Sequence, residues 1–478
     1  ASGDEDLMLM SADLNGTQQW IKTYGGTGSD YGYDVKKTFS GGYVLAGTTG
    51  SFSSAGADAD NAFLAATDAN GNILWSDDFG GMNADGFFSV AQAPDSGFVA
   101  AGFTSSFGQG GKDVFVVRTD KNGNTTWMKS FGAAGDDIGY SLCITSSSDI
   151  LVSGTTSSFP AGYRVLLLKI DLNGNTEWSK YYSYSYNATT LSESGNCVIQ
   201  NAAGNYVIGG RLGLDFIGAA QPFLMCTDTS GNNISWCNYY MLNSGPSRLG
   251  SVEETSPGGG YIIGASMSGG LLSMIRVSSG GGASWANYYS TASYSIGGKG
   301  YSATHTSDGG FILTGVFTAQ PDSAVALIKT DAAGNAGCNT YAPLGGGGTN
   351  SQTVTPSDAG FASASGGVSF PVTVTVASPA LSATVLCSTA GIDDKNETGN
   401  IGISPNPSCG SFTVDIPADF PPGQQLSLCD AAGRTVLVSW LKNGKNFIRT
   451  ADLAPGVYFY SITSPDGETT ARGKMVSE

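Results

Sequence analysis

Residues 62–75 read AFLAATDANGNILW, and the pattern returns as VFVVRTDKNGNTTW at 114–127 and VLLLKIDLNGNTEW at 165–178. Each copy joins an apolar run, an Asp-x-Asn-Gly turn and a second run that ends in Trp. Asn-Gly between two such runs is the strongest short signal for a β-hairpin, because Gly adopts positive φ without steric cost. The Asp before it can accept backbone N–H bonds inside the turn. The stretch therefore predicts a hairpin that recurs along the chain.

The tryptophans give the period of this repeat, about fifty residues. They stand at Trp20, Trp75, Trp127, Trp178, Trp236 and Trp285, and Cys338 lies where a seventh is expected. A Gly-rich corner, a short strand and an apolar strand after Gly-Gly-Tyr complete each unit, so that a unit has about four strands. One such unit cannot bury its own apolar face. We therefore expect an all-β, seven-bladed β-propeller over residues 1–388, with 359–365 as a degraded seventh copy and the N-terminal strands completing the last blade.

A different pattern follows the polar linker at residues 389–400. Short alternating strands separated by Gly-Arg and Pro-Gly turns predict a small antiparallel, immunoglobulin-like β-sandwich over residues 401–478. Its motifs are a Pro-Asn-Pro opening, an Asp-x-x-Gly-Arg turn, a Leu-x-Pro-Gly-Val-Tyr strand and a Gly-Lys-Met-Val end. The residues that carry them are Pro405, Asn406, Pro407, Gly410, Gly433, Arg434, Pro455, Gly456, Tyr458 and Lys474.

In order and spacing, these motifs resemble the type A C-terminal sorting domain of type IX secretion substrates. The resemblance implies export across the outer membrane of a Bacteroidota-type bacterium, with the translocon and its shuttle as partners. It also implies that the tag is often cleaved, so that the cargo is attached to surface lipopolysaccharide. We therefore expect a protein on the outer cell surface or outside the cell, with Ala1 as the end left by signal-peptide removal.

The repeat hairpin resembles a second family, the Trp-containing repeats of pyrroloquinoline-quinone-type propellers and the bacterial repeats related to them. The shared element is an apolar strand, Asp-x-x-Gly and Trp. However, the chain has one histidine, His305, and the paired adjacent cysteines and acidic-plus-Asn group of a quinone site do not appear. We therefore expect no cofactor, and we assign His305 a structural or surface role.

The composition of the chain limits the classes of partner that it can bind. The chain has 22 Lys and Arg against 39 Asp and Glu, a net charge of −17, so nucleic acid and anionic membrane surfaces are unfavourable partners. It contains no run of eighteen apolar residues, which argues against membrane insertion. Eight cysteines allow disulfides or buried free thiols. The candidate pairs are Cys226 with Cys237, Cys338 with Cys387, and Cys409 with Cys429.

Two sets of side chains are candidates for ligand binding. Asp30, Asp85 and Asp137 recur in the Gly-rich corners, where a partial ring of carboxylates would bind Ca²⁺ or a polar ligand, or else cap turns. Tyr184, Tyr186, Tyr240 and Tyr289 belong to Tyr-rich stretches and form either a contact surface for carbohydrate or protein, or packing between blades. The recurring Trp residues fit blade-to-blade packing. Asp-x-Asn-Gly is not a calcium loop, because Phe79 or Phe131 stands at the twelfth place.

These features favour a secreted, non-enzymatic structural protein with no catalytic residues. Low charge and many Tyr, Ser and Asn favour packing against copies of itself, as in a filament or sheath. The alternative is a lectin-like adhesin that binds surface glycans. A weaker alternative is a hydrolase or lyase with a carboxylate site on the channel face of the propeller.

Overall fold

The chain forms two compact units, residues 1–387 and 388–478. The computed structural model describes residues 5–13, 16–52, 59–159, 162–184, 193–214, 219–240, 248–256, 258–267, 271–289, 299–318, 323–336, 340–341, 349–351, 354–358, 362–365, 368–371, 375–377, 402–404, 411–418, 423–430, 434–449, 453, 456–465 and 469–477. All regular structure in these ranges is β-strand. Within them, no helix long and apolar enough to cross a membrane is present.

In its described residues, the first unit is a series of seven antiparallel sheets in chain order, each built from consecutive strands. Sheet 1 is β1 (Leu7–Ala12) and β2 (Gln18–Gly25); sheet 2 is β3 (Asp30–Lys37), β4 (Tyr43–Thr49), β5 (Asn61–Thr67) and β6 (Ile73–Gly80). Sheet 3 is β7 (Asp85–Gln92), β8 (Phe98–Thr104), β9 (Asp113–Thr119) and β10 (Thr125–Gly132); sheet 4 is β11 (Asp137–Ile144), β12 (Ile150–Thr156), β13 (Arg164–Ile170) and β14 (Thr176–Tyr184).

The later sheets repeat this plan. Sheet 5 is β15 (Ser194–Gln200), β16 (Tyr206–Leu214), β17 (Ala219–Thr227) and β18 (Ile234–Tyr240); sheet 6 is β19 (Arg248–Glu254), β20 (Tyr261–Met267), β21 (Leu271–Val277) and β22 (Ala283–Tyr289). Sheet 7 is β23 (Lys299–His305), β24 (Phe311–Thr318) and β25 (Ser323–Thr330). The all-β fold of repeated, propeller-type sheets predicted from the sequence is confirmed.

The Asp-x-Asn-Gly turns form as the sequence predicts. Asp68 accepts hydrogen bonds from the backbone N–H groups of Asn70 and Asn72 and from the Asn72 side-chain amide, at 2.8 Å each. Gly71 takes a φ of +74° in the same turn, which an L-residue adopts only with strain. The backbone and side chain of Asn72 hold the pKa of Asp68 below its usual range. The carboxylate is therefore engaged by its own turn.

The core lies between neighbouring sheets. Each cluster of buried apolar side chains draws on two adjacent sheets; one contains Val116 of sheet 3 with Leu142 and Val152 of sheet 4. Equivalent clusters join the other neighbouring pairs of the series. Strand β9 is buried at every position, as a strand covered on both faces must be. The continuous apolar runs in the sequence have this origin.

The repeated Trp connects one sheet to the next, as predicted. Trp75 of sheet 2 packs against Phe98 of sheet 3, with ring centroids 5.6 Å apart. Its indole N–H donates to the carbonyl of Lys121, and a Cβ on Gly123 would lie 2.7 Å from its Cδ2 atom. One contact thus combines the Trp of one repeat with an aromatic strand residue and the turn glycine of the next repeat. This is why the three motifs share a period.

A single run of chain, residues 340–377, then adds one short strand to the outer edge of six sheets. We call it the edge segment. It pairs with sheets 6, 5, 4, 3, 2 and 1 in that order, reverse to their order in the chain. Its strands are β26 (Thr340–Tyr341), β27 (Thr349–Ser351), β28 (Val354–Asp358), β29 (Ala362–Ser365), β30 (Val368–Pro371) and β31 (Thr375–Ala377).

The edge segment corrects one expectation and leaves another partly tested. The degraded seventh copy expected at residues 359–365 is wrong for residues 362–365. Strand β29 pairs with β10, because the outer edge of sheet 3 offers it unpaired backbone groups. The N-terminal hairpin does share a sheet with the end of this unit, since β31 pairs with β2. Residues 382–387, the other candidate for the last blade, lie outside the described residues.

The second unit is a small sandwich of seven strands, which confirms the predicted fold of the C-terminal module. One sheet has β32 (Gly402–Ser404), β33 (Ser411–Ile416) and β36 (Gly444–Arg449); the other has β34 (Gln424–Cys429), β35 (Thr435–Leu441), β37 (Gly456–Thr463) and β38 (Thr469–Ser477). Its core combines Phe412 and Val414 of the first sheet with Leu426, Leu428 and Ile462 of the second.

Candidate functional site

The corner carboxylates predicted as ligand groups cap their own corners. Asp85 is buried, and its Oδ2 atom accepts hydrogen bonds from the Gly81 N–H and the Ser106 hydroxyl, both at 2.8 Å. Asp137 repeats this with the N–H of Ala133 and the hydroxyl of Ser158. Asp30 is engaged in the same way, by Gly26, Ser51 and Thr49. These interactions fit the turn-capping interpretation of the sequence.

A second buried carboxylate lies beside the corner of Asp137. Asp113 begins β9, and a Cβ on Gly132 would lie 1.9 Å from its Oδ1 atom and 2.8 Å from Oδ2 of Asp137. Burial, together with the charge of Asp137, raises the pKa of Asp113 to about 7. Across the described part of the chain, no group of three or more His, Cys, Asp or Glu side chains is placed to hold a metal ion. Calcium at these corners stays a prediction.

Two of the four candidate tyrosines belong to the interior. The hydroxyl of Tyr240 donates to the carbonyl of Gly281 at 2.9 Å, and that of Tyr289 donates to Gly334 at 2.8 Å. Both side chains are fully buried between sheets. A contact surface at Tyr240 and Tyr289 is therefore wrong, because each hydroxyl is used in binding the hairpin turn of the next sheet. Tyr184 ends β14, where its backbone pairs with Val354; Tyr186 lies outside the described residues.

The predicted disulfide between Cys226 and Cys237 is also wrong. Cys237 pairs with Met225 across the hairpin, and Cys226 pairs with Trp236, so the two cysteines are one position out of register. A one-residue offset places side chains on opposite faces of a sheet. Both thiols are free and buried, and burial raises the pKa of Cys226 to about 11 and that of Cys237 to about 12. Cys429 is also free; Cys338, Cys387 and Cys409 lie outside the described residues.

His305 lies on the surface, at the end of β23. Its Nδ1 atom is 2.7 Å from Oε1 of Glu253 on sheet 6, and both side chains are substantially exposed. The contact joins two adjacent sheets. It agrees with the structural or surface role expected from a single histidine that no Cys or Glu flanks in the sequence.

The two ends of the sheet series expose apolar side chains that its interior buries. We call Val325 and Leu327 of sheet 7 the back face; they are 54% and 41% exposed. Leu327 lies four residues before the turn Asp331, and the residues at the same place in sheets 2 to 6 are all fully buried against the following sheet. They are Leu64, Val116, Leu167, Leu224 and Met274.

The opposite end shows the same departure. We call Met8 of sheet 1 and Val35 of sheet 2 the front face; they are 37% and 42% exposed. Val35 lies in the first strand of sheet 2, and the described part of sheet 1 has no strand equivalent to it. The residues equivalent to Val35 in the later sheets are buried against the preceding sheet: Val90, Leu142, Val198, Val252 and Ala303. Our sequence reasoning missed both faces. An alignment of the repeats with one another identifies these positions. The residue types at them do not reveal whether a neighbouring sheet covers them.

The described residues of the sorting motif lie in a turn and in strands β37 and β38 of the second unit. Arg434 closes a turn with Asp430, which accepts bonds from the Arg434 backbone N–H at 2.9 Å and from its guanidinium at 2.7 Å. Tyr458 is buried in β37, opposite Met475, and Lys474 stands in β38 opposite Phe459. Gly456 begins β37 opposite Ser477. The remaining motif residues, Pro405, Asn406, Pro407, Gly410, Gly433 and Pro455, lie outside the described residues.

The sequence of this unit matches a known family. Residues 402–477 fit the family described as "Secretion system C-terminal sorting domain". The second unit is a secretion sorting domain. The resemblance drawn from its motifs is confirmed, and the protein is accordingly one that is exported, to the cell surface or to the extracellular space. The match covers the sorting domain alone.

Whole-chain comparisons add only distant likenesses. No curated protein matches the chain. Among solved structures, it is similar to PorZ, a surface component of the type IX secretion system of Porphyromonas gingivalis, at 11% identity and a TM-score of 0.40. That likeness covers 93% of this chain and 59% of PorZ. Periplasmic gluconolactonase PpgL of Pseudomonas aeruginosa gives 10% identity and a TM-score of 0.32, over 70% of this chain and 99% of that one. We infer no activity from either.

Proposed function

We propose that this protein is a non-catalytic structural subunit that polymerises outside the cell through the two ends of its sheet series. The carrying observation is that Leu327, Val325, Val35 and Met8 are exposed at positions that the interior sheets bury. Each end therefore presents apolar side chains that, in the interior, pack against a neighbouring sheet.

The back face and the front face are complementary because they correspond to the two sides of the contact between neighbouring sheets. In the interior, the back of one sheet packs on the front of the next, as Leu64 and Phe87 do in the cluster between sheets 2 and 3. The back face of one copy and the front face of another carry the same kinds of side chains at the same repeat positions. Contact between them reproduces the internal packing. Because the two patches differ, such a contact is head-to-tail and leaves a free patch at each end of a growing chain of subunits.

Repeat arrays that remain monomeric normally end in units with a polar outer face. Among the described residues, the apolar side chains of Met8, Val35, Val325 and Leu327 are exposed near the two ends of this series, which supports assembly rather than a solitary particle. The corner carboxylates also fit a structural role, since Asp85 and Asp137 accept hydrogen bonds from N–H groups of the connection from the preceding sheet and from hydroxyls that follow the second strand of their own sheet. This supports the non-catalytic part of the proposal.

Light scattering and electron microscopy of the full-length chain test it. We expect particles whose mass rises with concentration and which appear as linear polymers. Leu327→Lys and Val35→Lys place an unpaired charge in one face each and should both yield monomers, since burying such a charge is strongly unfavourable. Met82→Lys is the matched control, because Met82 is 75% exposed but belongs to neither face.

Mixing the two blocked variants gives the sharpest readout. Each retains one intact face, so an equimolar mixture should form dimers and nothing larger. Wild-type protein that stays monomeric at every concentration, or polymers that survive both lysine variants, contradicts the proposal. Monomers in all cases would mean that each chain covers its own end faces.

A further inference from the structure

A groove of about 340 Å³ opens between sheets 2 and 3, beside the hairpin turns. Its volume is within the range of small-ligand sites, about 300–1,000 Å³. Trp75 and Phe98 line it on the apolar side, and Ser40, Lys121 and Asn122 line it on the polar side. Two further side chains, Phe39 and Leu74, also line it and are 69% and 64% exposed. The groove therefore combines an exposed apolar platform with hydrogen-bonding groups.

Phe39 and Leu74 are departures from the repeat. Phe39 occupies the second place of the turn that follows the first strand of its sheet. Other sheets carry small or turn-forming residues there: Pro94, Ser146, Ala202, Ser256 and Ser307. Leu74 precedes the repeat Trp, where the other repeats have Gln19, Thr126, Glu177, Ser235 and Ser284. Packing between sheets needs neither side chain, since the other repeats pack with small or polar residues at these places.

The two departures meet in one groove, which is unexpected if each arose independently. A residue that serves packing recurs in every repeat, as the Trp does. A residue that serves a ligand is needed only where the ligand binds. Exposing two large apolar side chains to water has no benefit to folding, because neither gains the stabilisation of burial.

The lining chemistry selects the ligand class. Among the described residues that line the groove there is no carboxylate, and Lys121 is the one charged side chain. Stacking of nucleobases on Phe39 is disfavoured by the net charge of −17, which repels a phosphate backbone. A hexose has an apolar C–H face that stacks on an aromatic or aliphatic side chain, and a rim of hydroxyls. Those hydroxyls match the Ser40 hydroxyl, the Asn122 amide and the Lys121 ammonium group.

We propose that this groove binds a glycan chain of neutral hexoses. The ring of one sugar stacks on Phe39 and Leu74, and its hydroxyls bond to Asn122 and Lys121. Gln92 shapes the groove rather than the ligand contact, because its amide is already engaged: it accepts from the Phe39 N–H and donates to the Ser96 carbonyl. The site does not depend on polymer formation, because neither end face contributes to it.

Saturation-transfer NMR on the full-length chain tests the site, with cello-, manno- and laminari-oligosaccharides as probes. We expect transfer to the ring protons of at least one, and an affinity at least about tenfold weaker in Phe39→Ser and in Leu74→Thr. These variants copy the residues that other sheets have at these places. Met82→Ser is the control, since it removes an equally exposed apolar side chain outside the groove and should leave binding unchanged.

Absence of transfer to all three probes overturns the proposal. So does binding that Phe39→Ser and Leu74→Thr leave intact, because the glycan would then occupy another surface. An apolar peptide that binds the groove when the oligosaccharides do not would reassign it to a protein partner. Running the same assay on the Leu327→Lys monomer separates this outcome from any failure of polymer formation.

Discussion

Leu64 and Leu327 hold the same place in the repeat, yet one is sealed between two sheets and the other is 41% exposed. Sheets 2 to 6 bury this position against the following sheet, whereas in sheet 7 the described residues leave Val325 and Leu327 exposed. The comparison teaches that a repeat encodes a contact on each face irrespective of its position in the series. In the interior that contact stabilises the fold; at the ends it is available to a partner.

Truncating the two leucines separates these roles most sharply. In a Val35→Lys monomer, Leu64→Ala should lower the free energy of unfolding by about 2–5 kcal/mol, because it leaves a cavity in a dense core. Leu327→Ala should change it by no more than about 0.5 kcal/mol. Urea unfolding followed by tryptophan fluorescence measures both. Equal losses at the two positions would show that the back face is covered within the monomer.

The contact between sheets can be weakened through glycine as well. Gly123→Ala combines a φ of +90° with a methyl group 2.7 Å from Trp75, and should cost about 2–4 kcal/mol. Gly41→Ala is the control, since Gly41 has a φ of +92° and no atom within 4 Å of a Cβ. It should cost only the backbone strain, about 1 kcal/mol. If thermal unfolding shows the same loss of stability in both variants, the contact with Trp75 does not contribute to that loss.

Burial in the interior also gives the stability of the protein a pH dependence. Burial raises the pKa of Asp113 to about 7 and that of Asp77 to about 6, so the folded chain retains protons that the unfolded chain releases near pH 4. Stability contributed by these neutral carboxyls is present at low pH and declines as the pH rises from about 4 to 7.

Asp113→Asn should flatten part of that decline and stabilise the protein at pH 8 by about 1 kcal/mol, because an amide does not ionise. Asn61 already begins the equivalent strand of sheet 2, so the substitution copies a neighbouring repeat. Urea midpoints measured between pH 4 and pH 8 give the comparison. A variant that is less stable than the parent at pH 8 would contradict the assigned cause.

The smallest expected effect concerns a single buried hydrogen bond between sheets. The Tyr182 hydroxyl donates to the Gly231 carbonyl at 3.0 Å. Tyr182→Phe should cost about 1 kcal/mol, and Phe79 and Phe131 at the same place in sheets 2 and 3 show that the ring alone fits. Thermal unfolding of the variant beside a Tyr163→Phe control, which alters an exposed tyrosine, measures the difference.

Much of the fold follows from local chemistry that the sequence shows directly. Asp68, Gly71 and Trp75 specify a turn, its φ and a contact to the next sheet, and these recur in phase. The Cys226–Cys237 pairing failed because a bulge shifts the hairpin register by one residue, which spacing alone does not reveal. Residues 362–365 resemble a repeat strand, which predicts a place in a seventh blade. They pair instead with β10 at the edge of sheet 3, and the sequence of the segment alone does not reveal this tertiary pairing.

The candidate site was less predictable, for a physical reason. Turn carboxylates and recurring tyrosines are the residue types that a ligand site would use. In this fold, however, their polar atoms make the hydrogen bonds that hold corners and neighbouring sheets together. Exposure depends on which sheet is adjacent, and Leu327 looks like its buried equivalents in every local respect. Phe39 and Leu74 could have been identified from the sequence, since each differs in type from the residues at the same place in the other repeats. The sorting domain was identified because its motifs are specific in both order and spacing.

The edge segment has a consequence for the order of folding. Thr340 pairs with Tyr289, but Ala377 pairs with Thr23 near the other end of the unit, so each successive pairing closes a longer loop. Contacts of such long sequence separation form slowly. Sheets 1 to 6 can therefore hairpin and stack while their outer edges remain open, until residues 340–377 arrive. A chain interrupted before residue 340 would leave six sheet edges unsealed and prone to aggregate.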